Sequence, residues 1–203
     1  MNNPRIIGVY LGAGKSIRMG RNKLELPFGE FCLGSWGLQA AIDSQLDWII
    51  AVTRKGDPLH WLAPFSKKKG WSCLRCDEAD YGQSASLKAG LRAATGLGAD
   101  AVVMMLADQP FVTASLLNRL VEGFVASPEG AFVAASLQPP VLFAKRVFPD
   151  LLQLEGDCGA RALIRGKWSE SGKVLAVVDE PYMLDIDTAA EYEFYAGEGS
   201  KWM

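Results

Sequence analysis

At 203 residues, 49% of them hydrophobic and 22% charged, the chain is long and apolar enough to bury one sizeable core, so a single domain over residues 1–203 is expected. A formal net charge of −2 argues against a surface that coats nucleic acid. No uncharged apolar run approaches the ~20 residues of a membrane span, and no secretory-signal pattern follows Met1, so the expectation is a cytoplasmic protein with neither membrane nor nucleic acid as partner.

Apolar runs alternate with helical patterns along the chain. Residues 6–11 (IIGVYL) read as a buried strand that runs into a glycine-rich turn. Residues 33–42 read as a helix, 48–52 as a second buried strand, 59–65 as a short helix and 72–76 as a strand. A helix is expected over 84–94, with Ser84 as its N-cap. Residues 101–106 (AVVMML) are apolar throughout, as befits a central parallel strand covered on both faces. An amphipathic helix capped by Thr113 follows to residue 125, then strands over 131–135 and 141–143 and helices over 145–153 and 159–165. A strand over 174–178 and a closing helix over 188–195 complete the series. This β-α-β-α order predicts an α/β fold with a doubly wound, mostly parallel sheet.

Four cysteines, Cys32, Cys73, Cys76 and Cys158, are too dispersed for a disulfide scaffold and read as reduced structural residues. Cys73 and Cys76 fall three apart on a strand, which points them to opposite faces rather than to one metal. His60, the lone histidine, has no acid or serine motif around it.

The segment after the first strand is the richest in chemistry. Gly12 and Gly14 let backbone approach a ligand closely, and successive free N–H groups in such a turn make a concave anion site. Arg18 and Lys23 add fixed positive charge suited to a polyphosphate. Two familiar fingerprints fail here. A P-loop ending at Gly14-Lys15-Ser16 needs its first glycine where Val9 stands, and G-x-G-x-x-G fails at Ile17. Ser84 and Ser86, at the start of a helix, offer N–H groups for a phosphate or a base edge, or an ordinary cap. Asp108 ends the most apolar strand, at the rim where open α/β sheets bind ligands. Asp185 and Asp187 share one side if their stretch is extended, and both then reach one metal; alternatively Asp187 caps the helix that opens at Thr188. Asp157 and Arg161 are spaced to pair with each other on a helix start, or to receive a second substrate.

Residues Leu11, Gly14, Ser16, Arg18, Met19, Gly20 and Lys23 match in full the signature L-x-x-G-x-S-x-R-M-G-x-x-K of the molybdenum-cofactor nucleotidyltransferases. The chain resembles that family further in Gly82 to Gly90 (G-x-x-x-S-L-x-x-G), in Asp108 (L-x-D-x-P), in Gly156 to Arg161 (G-D-x-G-A-R) and in the Asp185-Ile186-Asp187-Thr188 ending. Gln138 stands where a glycine is common. The resemblance implies a nucleotide-diphospho-sugar transferase (Rossmann-like) fold. It implies nucleotide binding by Leu11, Gly12, Ala13, Gly14, Lys23, Ser84 and Ser86 and catalysis by Arg18, Lys23 and Asp108. It further implies Mg²⁺ on Asp108 with Asp185 or Asp187, and acceptor binding by Asp157 and Arg161. In that family L-A-A-G accompanies CTP and L-A-G-G accompanies GTP; here Ala13 agrees with CTP and Gly12 departs from both. The implied reaction is transfer of CMP from CTP to molybdopterin, with pyrophosphate released, for a molybdenum hydroxylase apoenzyme such as a xanthine or purine dehydrogenase. Rivals are a GTP-using or sugar-phosphate nucleotidyltransferase, and a non-catalytic carrier of the cofactor.

Overall fold

A computed structural model describes residues 3–156, 159–175 and 183–198. Strand β1 (Ile6–Gly12) leads into single 3-10 turns at Ile17–Met19 and Lys23–Glu25 and a two-stranded hairpin of β2 (Pro27–Phe28) and β3 (Phe31–Cys32). Then come α1 (Trp36–Ile42), β4 (Trp48–Arg54), a 3-10 helix over His60–Phe65, β5 (Trp71–Cys76), α2 (Gln83–Gly96) and β6 (Ala101–Leu106). Helix α3 (Ala114–Ala126), β7 (Phe132–Ala134), β8 (Val141–Ala144), α4 (Phe148–Leu151), α5 (Arg161–Arg165), β9 (Lys173–Val174) and α6 (Ala189–Glu198) complete the chain.

The described residues form a seven-stranded sheet of order β5-β4-β1-β6-β8-β7-β9. The four strands β5, β4, β1 and β6 are mutually parallel. They are near-continuous apolar runs because helices cover both faces. One face packs on Leu38 of α1 and Leu117 and Leu120 of α3, the other on Leu87 and Leu91 of α2 and Leu151 of α4. Strand order reverses between β1 and β6, since the chain first builds outward through β4 and β5 and then returns to the other side of β1. In such sheets the crevice at the carboxyl ends of the two switch strands is the natural ligand site.

Helix α2 reaches that crevice by lying very close to the sheet. A Cβ on Gly90 would come within 2.4 Å of Val9 Cγ1 and 3.0 Å of Val52 Cγ2, so only glycine permits this approach. The N-cap of α2 is Gly82, at φ 113° and ψ 173°, and not Ser84. A glycine there makes the sharp reversal that a side chain resists, and it moves the helix start one residue ahead of the expected 84. Thr113 does cap α3, accepting the Leu116 N–H at 3.2 Å.

Strand β8 runs antiparallel to both β6 and β7. The expected strands at 131–135 and 141–143 therefore lie beside β6 in a short return rather than in a further parallel crossover. Of the strand expected over 174–178, β9 contains Val174, and residues 176–178 lie outside the described residues. Cys73 is exposed and Cys76 buried, on opposite faces of β5, and with Cys32 both are free thiols. Among the described residues no helix is long and apolar enough to cross a membrane.

Candidate active site

A cavity of about 570 Å³ opens where the sheet order reverses. The segment after β1, the first residues of α2 and Asp108 after β6 line it. The two glycines of the opening turn do different jobs. A methyl on Gly12 would stand 2.9 Å from two ring carbons of Trp61, which is fully buried, so Gly12 is glycine because of the protein's own packing. A methyl on Gly14 would meet nothing within 4 Å, which leaves its backbone open to a ligand. Beyond it the chain curls tightly. Ser16 sits at φ 49°, its carbonyl accepts the Met19 N–H at 3.0 Å, and its hydroxyl accepts the Lys23 N–H at 3.3 Å. Asn22 caps the next turn through Leu24 N–H. These local bonds turn the Lys23 side chain inward, where the residue is 8% exposed.

Lys23 Nζ donates to Asp108 Oδ2 and to Asp187 Oδ1, each at 2.7 Å. Arg18 reaches the other oxygen of Asp187 at 2.8 Å. Burial by itself pulls the Lys23 pKa down, but the Asp108 and Asp187 carboxylates outweigh it and hold the ammonium above its usual range. The Lys23 hydrogen bond keeps Asp187 below the usual carboxylate range. Asp108 Oδ1 is buried with no hydrogen-bond partner. A buried acceptor of that kind is costly, and it leaves a lone pair to offer a ligand that enters the cavity.

Asp185 and Asp187 go to different partners. Asp187 lines the cavity, whereas Asp185 Oδ1 accepts from Gln109 Nε2 at 2.8 Å and does not line it. Residues 184–187 form no strand, so the same-side rule for residues two apart does not hold. Between the two carboxylates Ile186 is buried, and its N–H donates to the Asp108 carbonyl at 3.0 Å. Burial, then the Asp108 charge, pushes Asp185 up to about 6. Helix α6 has a cap of its own: Glu191 Oε2 accepts the N–H groups of Asp187 and Thr188, and Thr188 Oγ1 accepts the Glu191 N–H at 3.2 Å. This reciprocal capping box leaves the Asp187 side chain to the cavity.

Of the other expected site residues, Leu11, Ala13 and Ser86 line the cavity with the glycines, Arg18 and Lys23. Ser84 does not, and its N–H is not free, because it donates to the Gly156 carbonyl at 3.1 Å. Arg161, at the start of α5, is exposed and outside the cavity lining, and Asp157 and Cys158 lie outside the described residues. Sequence patterns do not single out Lys15, Gln83, Tyr81 and Gln109 as site residues. Lys15 lines the cavity and pairs with Asp80 at 3.0 Å; it was visible in the sequence as part of the discarded P-loop ending. Gln109 is fully buried and bonds the Pro139 carbonyl as well as Asp185, which no local pattern announces.

Comparison with known proteins places this arrangement. The family described as MobA-like NTP transferase domain matches residues 8–174. Purine catabolism protein PucB of Bacillus subtilis (strain 168) is 40% identical over 95% of this chain and 97% of its own length. The molybdenum cofactor guanylyltransferase of Rhodobacter capsulatus is 33% identical over 57% of each chain. A solved structure from Mycobacterium sp. strain JC1, a homologue of Mycobacterium tuberculosis Rv0371c, superposes with a TM-score of 0.77 at 25% identity, covering 98% of both chains.

Proposed function

The chain belongs to the MobA-like NTP transferase family, a family of nucleotidyltransferases, and from that premise we propose that it moves CMP from CTP to molybdopterin with release of pyrophosphate. The observation that carries this reading is Lys23 in contact with Asp108 across the point where the strand order reverses, beside a glycine whose backbone faces open space.

Phosphoryl-type transfer asks a protein mainly for positioning and charge neutralisation. Backbone around Gly14 approaches the triphosphate, while Arg18 and Lys23 offset charge on the attacked and leaving groups. The acceptor's phosphate is already anionic at neutral pH, so its oxygen attacks the α-phosphorus without a general base. The leaving pyrophosphate departs in line. The carboxylates fit a magnesium ion. Asp108 has an unpartnered buried oxygen, and Asp187 stands beside the same ammonium. Among the described residues no group of three or more His, Cys, Asp and Glu forms a complete cage. Magnesium habitually takes one or two carboxylates and fills its shell with substrate phosphates and water. Asp108 and Asp187 would hold it, and it would neutralise triphosphate charge.

The segment that carries Arg161 supports an acceptor side next to the nucleotide, because its Gly156 carbonyl is bonded to the start of α2. The buried methyl of Ala13 narrows the cavity and favours a pyrimidine over a purine. The guanylyltransferase name of the Rhodobacter relative favours GTP instead, and supplies the second reading. The name of the Bacillus relative supports purine breakdown, and hence a molybdenum hydroxylase of the cytoplasm, as the setting. A panel of CTP, GTP, ATP and UTP with molybdopterin and Mg²⁺, read by pyrophosphate release, decides. Turnover with CTP at least about tenfold above GTP, a preference of about 1.4 kcal/mol, is expected. Equal or greater turnover with GTP overturns the cytidylyl assignment.

A further inference from the structure

One wall of the cavity carries a side chain that the proposed reaction leaves unused. Tyr81, in the short 3-10 turn Ala79–Tyr81, lines the cavity and is 78% exposed, the most exposed large hydrophobic residue among those described. Its exposure is costly for a ring of that size, and among the described residues no other ring packs on it and its hydroxyl makes no hydrogen bond. The turn that presents it is fixed at both ends. Tyr81 N–H donates to the Glu78 carbonyl at 3.0 Å, Gly82 at φ 113° sets the start of α2, and Asp80 pairs with Lys15 of the glycine-rich segment.

Resting on the nucleotidyltransferase reading, we infer that Tyr81 is the platform on which the base of the bound nucleoside triphosphate stacks. By charge the phosphates belong to Lys23 and Arg18. The base then falls to the stretch of lining around Tyr81, where Lys15 and Asp80 neutralise each other, Ser86 follows in the first turn of α2 and Ala13 limits the width. A flat heteroaromatic ring covers the exposed face of the tyrosine, and the Ser86 hydroxyl meets its edge.

Calorimetric titration of the full chain with Mg-CTP and, separately, with inorganic tripolyphosphate tests this, using Tyr81→Ala and Tyr81→Phe. The expected result is a Kd for Mg-CTP raised roughly tenfold in Tyr81→Ala and near wild type in Tyr81→Phe, with tripolyphosphate binding unchanged in both. An unchanged Kd for Mg-CTP in Tyr81→Ala overturns the stack, as does an equal loss of affinity for tripolyphosphate, which marks a support for the loop instead. An unchanged Kd with a raised KM for molybdopterin also overturns it, in favour of the acceptor's pterin ring. Wild-type protein that binds no nucleoside triphosphate defeats the parent reading itself.

Discussion

The two sides of the charged cluster are built by different means. Asp108 stands two residues beyond the end of β6, whose register with β1 is continuous, and Lys23 is turned inward by the Ser16 and Asn22 bonds of the segment that follows β1. Asp187 comes from a stretch that forms no strand, and it is placed by its contacts with Lys23 and Arg18 and by the capping box that follows it. Groups held by strand register and local backbone caps are positioned before any ligand arrives. A group held mainly by its ionic partners is free to change partners when a more highly charged one enters.

Three measurements break or sharpen that contrast. The largest effect is expected on turnover. Lys23→Ala and Asp108→Ala each lower pyrophosphate release at least about a hundredfold, because each removes transition-state charge compensation and breaks the Lys23–Asp108 pair. Asp187→Asn, at a more exposed group, costs about tenfold. Equal losses from all three variants erase the distinction. The second effect is on stability. Gly90→Ala drives a methyl into Val9 and destabilises the fold by about 1–3 kcal/mol in urea titration, while Gly14→Ala leaves the unfolding midpoint within about 0.5 kcal/mol and weakens Mg-CTP binding. The smallest is a pH effect. Asp185 holds its proton up to about 6 in the folded chain, against ~3.9 when unfolded. Between those values the folded state binds more protons, so raising pH across this window lowers wild-type stability. Asp185→Asn removes that slope, and its melting temperature relative to wild type rises from pH 4 to pH 6.5. A constant difference between the two removes Asp185 from the buried network.

The parallel half of the fold was legible because its signals are local. Residues 6–11, 48–52 and 101–106 are apolar on both faces, and the cluster from Leu11 to Lys23 is contiguous. The antiparallel return of β8 was not, since a three- or four-residue apolar run carries no mark of its direction. Ser84 read as the cap because serine usually is one, and the reversal at Gly82 shifted the helix start by a residue. The split between Asp185 and Asp187 depends on Gln109, 76 residues from its partner in sequence, and such long-range choices leave no trace in spacing.

Trp61 and Gly12 constrain how the opening turn of this chain can change. The indole fills the volume an alanine methyl would need, so the two positions cannot vary independently. Alanine at position 12 therefore calls for a smaller or displaced side chain at position 61, and made alone it puts two groups in one space. The missing methyl is a packing requirement of this core, set from behind the cavity wall, and tells nothing about which base the site selects.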